Sequence, residues 1–304
     1  MVKTKPLVSV AMAAYNGEKY IVEQLNSILN QTYSEIEIVI TDDNSDDNTV
    51  NIVKEFKKKY SSIVLFTKEK NSGVTKTFEN SIKNCKGEYI AISDQDDIWQ
   101  PDKIEVLVNE MGSEDAVYSN SLLVDKNGTS LTKEFDSIMN LKSYYSGAPF
   151  LLSNCVPGHT ILMKSDFAKM ILPFPSNIMF DRWISFCAAA NNGIKFVDKS
   201  LVLYRQHDNN TIGVGKFKNR RRKETSSEKF TKKSDELLTF AKAPIKNEET
   251  KEILQQMIQL FNHRWSIRRS RFFFKNLEKI LVVKKKSHFR KILYCFKMFF
   301  KPNY

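Results

Sequence analysis

The first 111 residues alternate between short apolar runs of strand length and longer segments of helical period, and this alternation constrains the fold more than any other feature. LVSVAM (7–12), EIEIVIT (35–41), SIVLFT (62–67) and YIAIS (89–93) are the strand candidates. Between them, GEKYIVEQLNSILNQ (17–31), TVNIVKEFKKKY (49–60) and GVTKTFENSIKNC (73–85) repeat apolar residues every three or four positions, as with Ile21, Leu25, Ile28 and Leu29. PDKIEVLVNEM (101–111) continues the series, with Pro101 at the first helical position, where its missing N–H costs nothing. Strands interleaved with helices predict an α/β fold: a Rossmann-like, mixed but mostly parallel sheet flanked by helices.

The pattern is more mixed from 112 to 215. AVYSNSLLVD (116–125) reads as a strand, HTILMKSDFAKMI (159–171) as a strand running into a helix, and MFDRWISFCAAANN (179–192) as a helix stopped by Gly193. IKFVD and SLVLYRQH read as two short strands. Beyond Gly215 the segment KFKNRRRKETSSEKFTKKSDE is charged and poor in apolar residues, so it reads as a flexible or helical linker. Two helical stretches follow, over about 235–265 and 266–301. Charge follows the same division. From Lys216 onward there are 25 Lys and Arg against eight Asp and Glu, whereas the preceding part has 22 against 27. The net charge of +12 therefore belongs to the C-terminal part alone.

Cys85, Cys155, Cys187 and Cys295 are far apart and form no CxxC pair, which argues against a disulfide framework or a zinc site and for reduced thiols in a cytosolic setting. The opening MVKTKPLVSVAMAAYNG reads as a first strand instead of a signal peptide, and no window of 18 consecutive apolar residues predicts a membrane span.

In an open parallel sheet, ligands bind beyond the carboxyl ends of the strands. Three polar clusters fall there: Ala13-Ala14-Tyr15-Asn16-Gly17, Asp42-Asp43-Asn44-Ser45 and Asp94-Gln95-Asp96-Asp97, with Asn71-Ser72-Gly73 opening the third helix on the same rim. Neither GxGxxG nor GxxxxGK[ST] is present, so dinucleotide wrapping and a P-loop are not indicated. Three carboxylates within four residues repel one another unless they face water or share a cation. A divalent cation between carboxylates and a substrate diphosphate suits Asp94-Gln95-Asp96, and a solvated turn capping the helix at 102 suits it as well.

These segments, in this order, resemble glycosyltransferase family 2. The resemblance rests on VSVAMAAYNGEKYIVEQLNSILNQTY, EIVITDDNSDDNT, NSGVTKTFENSI, GEYIAISDQDDIWQPDK, NIMFDRWISFCAAANNG and LYRQHDNNTIG, covering roughly residues 7–213. The rhamnosyltransferase-like group of bacterial surface-polysaccharide enzymes is the most similar. The resemblance implies a GT-A fold over 1–215 and inverting transfer from a nucleotide-sugar donor, with Mn2+ or Mg2+ as cofactor. It implies donor contacts for Tyr15 with the base, for Asp42 or Asp43 with a base N–H, for Gly73 in the approaching loop and for Asp94 with the ribose. Asp96 and His207 would hold the metal, although a strand-end histidine bonded to a carboxylate is an equal reading of His207. Asp181, at the start of a helix, matches the family's base position, and a plain N-terminal helix charge is the competing reading. His159, after the Pro157-Gly158 turn, and Trp183 fall toward the acceptor side, with core packing the alternative for Trp183. Asp97 would orient Asp96 or cap the next helix, Gln95 would act as a spacer, and Trp99 would anchor the turn. Ala13-Ala14 departs from relatives that have Pro or Thr there.

The segment 268–304 carries 12 Lys and Arg and the single acid Glu278, with Phe273, Leu277, Ile280, Leu281, Phe289, Ile292, Leu293, Phe296, Phe299 and Phe300 at helical spacing. Cationic and apolar faces together predict a helix in an anionic membrane interface, each basic residue contributing about 1 kcal/mol. Residues 216–304 are thus expected to be a basic helical region that holds the enzyme on the inner face of the plasma membrane, near a saccharide or lipid-linked acceptor. Packing on the catalytic domain and an oligomer contact are the alternatives. A nucleic-acid-binding protein whose basic C-terminal region neutralises phosphates, and a catalytically inactive nucleotide-binding relative, are the alternative functions. A nucleic-acid partner is not expected, because the candidate site lies in the acidic part and carries no recognition-helix or RNP-type motif. The presence of Asp94, Asp96 and Asp181 argues against an inactive relative.

Overall fold

The computed structural model describes residues 5–207, 225–261 and 266–299. The expected boundary at 215, the end of the LYRQHDNNTIG segment and Phe300 lie outside the described residues. The N-terminal alternation appears as β1 (Val8–Ala14), α1 (Ile21–Leu29), β2 (Ile36–Asp42), α2 (Thr49–Lys59), β3 (Ile63–Thr67), α3 (Val74–Asn84) and β4 (Tyr89–Ser93). A two-residue strand, β5 (Ile98–Trp99), precedes α4 (Lys103–Glu110). β2 and β3 lie on one side of β1 and β4 on the other, all parallel, with Val10 opposite Ile38 and Ala91. The chain therefore reverses direction across the sheet beside β1, and the carboxyl ends of β1 and β4 flank the crevice where such sheets bind ligands.

β6 (Ala116–Val124), β7 (Ser130–Glu134), β8 (Ile161–Lys164), α5 (Ser165–Met170), α6 (Phe180–Ala189) and β9 (Ile194–Arg205) complete a nine-stranded sheet in the order β3-β2-β1-β4-β8-β6-β9-β5, with β7 paired to β6. β8 runs antiparallel to both β4 and β6, which ends the parallel half. The two short strands expected at 194–207 are instead one strand, β9, whose pairing with β6 shifts register near Ser119 and Asn120 and so continues past the polar step between them. α6 ends at Ala189 with Ala190 as its cap, three residues before the stop expected at Gly193. Gly193 instead closes the following turn, its N–H donating to the Ala188 carbonyl with φ +108°, a conformation that other residues rarely adopt.

Alternate residues of β1 face opposite layers. Val8, Val10 and Met12 pack with Ile21, Leu25 and Ile28 of α1, with Val53 of α2 and with Ile104 of α4, while Ala11 faces Phe78 and Ile82 of α3. The C-terminal helices, α7 (Ser226–Phe240), α8 (Glu248–Phe261), α9 (Ile267–Lys275), α10 (Leu277–Ile280) and α11 (His288–Lys297), join this second layer. Leu237, Phe240, Met257, Phe273 and Ile280 belong to the same buried cluster as Ala11 and Phe78. α7 begins inside the segment read as a linker, because Thr225 and Glu228 form a reciprocal capping box. It stops before Pro244, which cannot donate a helical N–H, so the first long helical stretch divides in two.

Candidate active site

Backbone and side-chain bonds draw the ends of β1 and β2 together. The Asp43 N–H donates to the Ala14 carbonyl at 2.8 Å, the Asn16 N–H to Ser45 Oγ at 2.9 Å, and the Gly17 N–H to Thr49 Oγ1 at 2.8 Å. Asp42 accepts from both the N–H and the hydroxyl of Ser45. Asp43 is similarly engaged by its own chain. Its carboxylate accepts from the N–H groups of Ser72 and Gly73 and from Lys68 Nζ, and these bonds hold it below the usual carboxylate range against the opposing effect of burial. The structure thus gives Asp43 the job of shaping the 68–73 loop. Gly73 in that loop has φ +85° and open space where a Cβ would stand. Tyr15 is 46% exposed at the head of the crevice.

Gln95, read as a spacer, ties the two strand ends instead. Its Oε1 accepts from the Tyr15 N–H and its Nε2 donates to the Tyr15 carbonyl, both at 2.9 Å. A Cβ on Gly17 would lie 2.2 Å from that Oε1, so a side chain at 17 displaces Gln95.

The four positions of the acidic loop differ in environment. The Asp94 side chain is 36% exposed and that of Asp96 17%, whereas Asp97 is wholly buried. A solvated turn does not describe Asp97, and a different residue, Asp102, stands before α4. Arg205, at the end of β9, clamps the loop from below. Its backbone N–H donates to Asp97 Oδ1 at 3.0 Å, its Nε to the Asp96 carbonyl at 2.8 Å, and its guanidinium reaches Glu23 and lies over the Tyr20 ring. Tyr20 also stacks on His207, whose Nε2 meets Asp96 Oδ2 at 2.8 Å. The two residues expected to hold a metal are therefore in contact.

Behind them, His159 is buried with Nδ1 3.7 Å from Asp94 and 3.6 Å from Asp97. Among the described residues, Asp94, Asp97 and His159 are the group whose ligand atoms all approach within 4.8 Å of one another. Asp97 Oδ2 and His159 Nε2 are buried without a hydrogen-bond partner. Carboxylates, an imidazole and orphaned acceptor atoms are donor types that suit Mn2+ or Mg2+, so the loop and its surroundings fit a divalent cation. Lys103 lies buried beside this group, 3.3 Å above the Trp99 ring, donating to the His159 carbonyl at 2.7 Å. Burial, reinforced by Asp96 and Asp94, pushes Asp97 well above its ordinary value, and burial pushes Lys103 well below its own.

Asp181 opens α6, its Oδ1 accepting from the Arg182 N–H at 2.6 Å. Burial pushes its carboxyl up to about 6, with Asp94 adding to the rise and the Arg182 N–H and Asn154 opposing it. The neighbouring Arg182 guanidinium is turned away, bonded to the carbonyls of Phe150 and Leu151 and to Glu236 of α7. Trp183 is 6% exposed, donates its indole N–H to the Ile171 carbonyl and stacks on Phe240, so of its two readings packing is the one its surroundings support. No residue pattern in the sequence singled out Arg205, Lys103 or the double bond of Gln95. The only signal was their place beside the acidic loop or at the end of a strand facing it.

The mostly parallel sheet reverses strand order beside β1 with acidic residues at its strand ends, and the similar solved structures share this GT-A fold. Staphylococcus aureus TarS (residues 1–349, in complex with UDP-GlcNAc) superposes with a TM-score of 0.58 at 19% identity, over 96% of this chain and 81% of that one. A Pyrobaculum calidifontis mannosyltransferase, in complex with GDP-Man and Mn2+, gives 0.53 at 15% identity over 84% and 70%. The sequence model described as glycosyl transferase family 2 matches residues 9–176, and the chain belongs to that family. The dTDP-rhamnosyl transferase RfbG of Shigella flexneri is 34% identical over 220 residues, 67% of this chain and 74% of that protein. The family match stops short of Asp181 and His207 and assigns them no role.

Proposed function

We propose that the chain transfers a sugar, with inversion, from a nucleotide-sugar donor to a saccharide acceptor, carried on a lipid, in the synthesis of a cell-surface polysaccharide. The observation that carries this reading is Asp181: a half-buried carboxyl raised to about 6 by burial, beside Asp94, and bonded by the Arg182 N–H while the Arg182 guanidinium is held by other partners. Ionised near neutral pH yet poorly solvated, it is suited to take the proton of an acceptor hydroxyl as that oxygen attacks the anomeric carbon. A single displacement needs no protein nucleophile.

Tyr15 and Asp42 would face the donor base, Asp43 would act through the Ser72-Gly73 loop that it holds, and Asp94 would meet the ribose. Asp96 and His207 would hold a divalent cation, which when bound offsets the negative charge gathering on the departing diphosphate. His159, fixed between Asp94 and Asp97, would support the loop from the acceptor side. Reduced, buried cysteines and a basic C-terminal region support a cytoplasmic enzyme working at the inner face of the plasma membrane. Among the described residues no helix is long and apolar enough to cross a membrane.

Donor binding and turnover test the assignment, with a panel of UDP-, GDP- and dTDP-sugars and Mn2+. Asp181→Asn is expected to keep donor affinity and lower transfer by about 10²–10⁴-fold. Asp96→Ala and His207→Ala are expected to abolish Mn2+-dependent donor binding. Near wild-type transfer by Asp181→Asn rules out the base role. Loss of Mn2+ binding in His159→Ala but not in His207→Ala would move the cation to the Asp94–Asp97–His159 group.

A further inference from the structure

The C-terminal helices are not equally covered on both sides. α11 buries Cys295 toward the core, Met298 is buried just past its end, and Phe289, Leu293 and Phe296 turn outward, where they are 67%, 42% and 57% exposed. Spacings of four and three residues put these side chains on one helical face. Phe274 of α9 meets Phe296 edge to face, with ring centroids 4.9 Å apart, so the two helices present one continuous aromatic ridge. A soluble surface rarely leaves such a run uncovered.

Cations border the ridge. Arg271, Lys275, Arg290 and Lys297 are exposed, and none has a carboxylate partner among the described residues. The sole acid of the stretch, Glu278, is already paired with Lys291 at 3.1 Å. An apolar ridge set in unpaired positive charge is complementary to an apolar layer covered by negative charge. A second copy of this chain would bring like charges together around the same ridge, and water would leave the rings exposed.

We propose that this face of α9 and α11 is a docking surface for an anionic lipid bilayer. Phe289, Leu293 and Phe296 enter at the level of the headgroups, and Arg271, Arg290 and Lys297 meet lipid phosphates. Phe273, Leu277 and Ile280, which the sequence grouped with the ridge, instead hold the docking helices to the catalytic core. The inference deepens the membrane-side reading of the proposed function, and the contact itself does not depend on sugar transfer.

Co-sedimentation of the full chain with vesicles tests it. Wild type should partition at least about tenfold more strongly onto phosphatidylcholine vesicles containing phosphatidylglycerol than onto phosphatidylcholine alone, and this preference should weaken in high salt. The variant carrying Phe289→Glu, Leu293→Glu and Phe296→Glu should lose that partition while keeping its melting temperature and its Mn2+-dependent donor hydrolysis in free solution. Three results each overturn the proposal: no vesicle binding by wild type, unchanged binding by the variant, or a wild-type dimer that the variant dissolves without any vesicle binding. Single-stranded RNA that binds the wild type more tightly than the vesicles do would overturn it in favour of a nucleic-acid partner. Wild type that binds vesicles as expected but hydrolyses no donor would reject the enzymatic reading and leave the docking surface standing.

Discussion

At the scale of single residues, the site is organised by groups that pull carboxylates apart in character. Burial disfavours the charge of Asp181 and pushes its carboxyl up to about 6. The proposed base must be ionised to act, so kcat/KM should fall as pH drops through about 6. Stability runs the other way. The folded state holds the Asp181 proton to a higher pH than the unfolded chain does, so this group costs stability as pH rises from its unfolded value through about 6. Asp181→Asn should therefore melt higher than wild type at pH 7.5, and the difference should shrink below about pH 6, as thermal denaturation across pH would record. Gln95→Ala removes two hydrogen bonds to the Tyr15 backbone, at about 1 kcal/mol each. It should loosen the crevice and raise the KM for donor more than it lowers kcat. Gly17→Ala should do the same by pushing the Gln95 side chain aside.

At the scale of elements, the decisive feature is how α6 is anchored. Arg182 follows Asp181 directly, and an arginine free to fold back would neutralise the carboxylate. Its donors are committed to Phe150, Leu151 and Glu236, so α7 reaches across to the helix that carries Asp181. Glu236 also pairs with Lys233, which burial pushes down to about 8. Glu236→Ala leaves two cations without their carboxylate in a buried setting, at a cost of about 3–5 kcal/mol, and should lower the melting temperature sharply. Glu236→Gln, which keeps a hydrogen-bond acceptor for Arg182, should cost less. The β9 strand plays a matching part on the opposite side, carrying Arg205 and His207 to the acidic loop from below.

At the scale of the whole molecule, the basic C-terminal part is not an appendage hung on the sheet. Phe261, Phe272, Phe273, Leu277 and Ile280 lie in the cluster that also contains Ala11, Phe78 and Trp183. Each such side chain contributes about 1.5–3 kcal/mol by burial, so together they rival the net stability of a domain. Ending the chain at about residue 265 removes all of these but Phe261 and should therefore give aggregated or molten protein, read by loss of a cooperative thermal transition, instead of a folded enzyme freed from the proposed membrane contact. Point changes on the outer ridge separate the two effects.

Most of the N-terminal half was legible in the sequence. Periods of two and 3.6 residues follow from how side chains leave strands and helices, so the βα alternation, the strand-end clusters and the helix under Asp181 could be read from spacing alone. The separate characters of Asp94, Asp96 and Asp97 could not, because they depend on burial and on residues far away in the chain. Gln95 bonds to Tyr15 across 80 positions and Arg205 to Asp96 across 109. The division of the C-terminal apolar residues was equally hidden. A helical stripe shows which residues share a face, but only the tertiary structure decided which face meets the core and which is left to water, because that depends on what packs beside the helix.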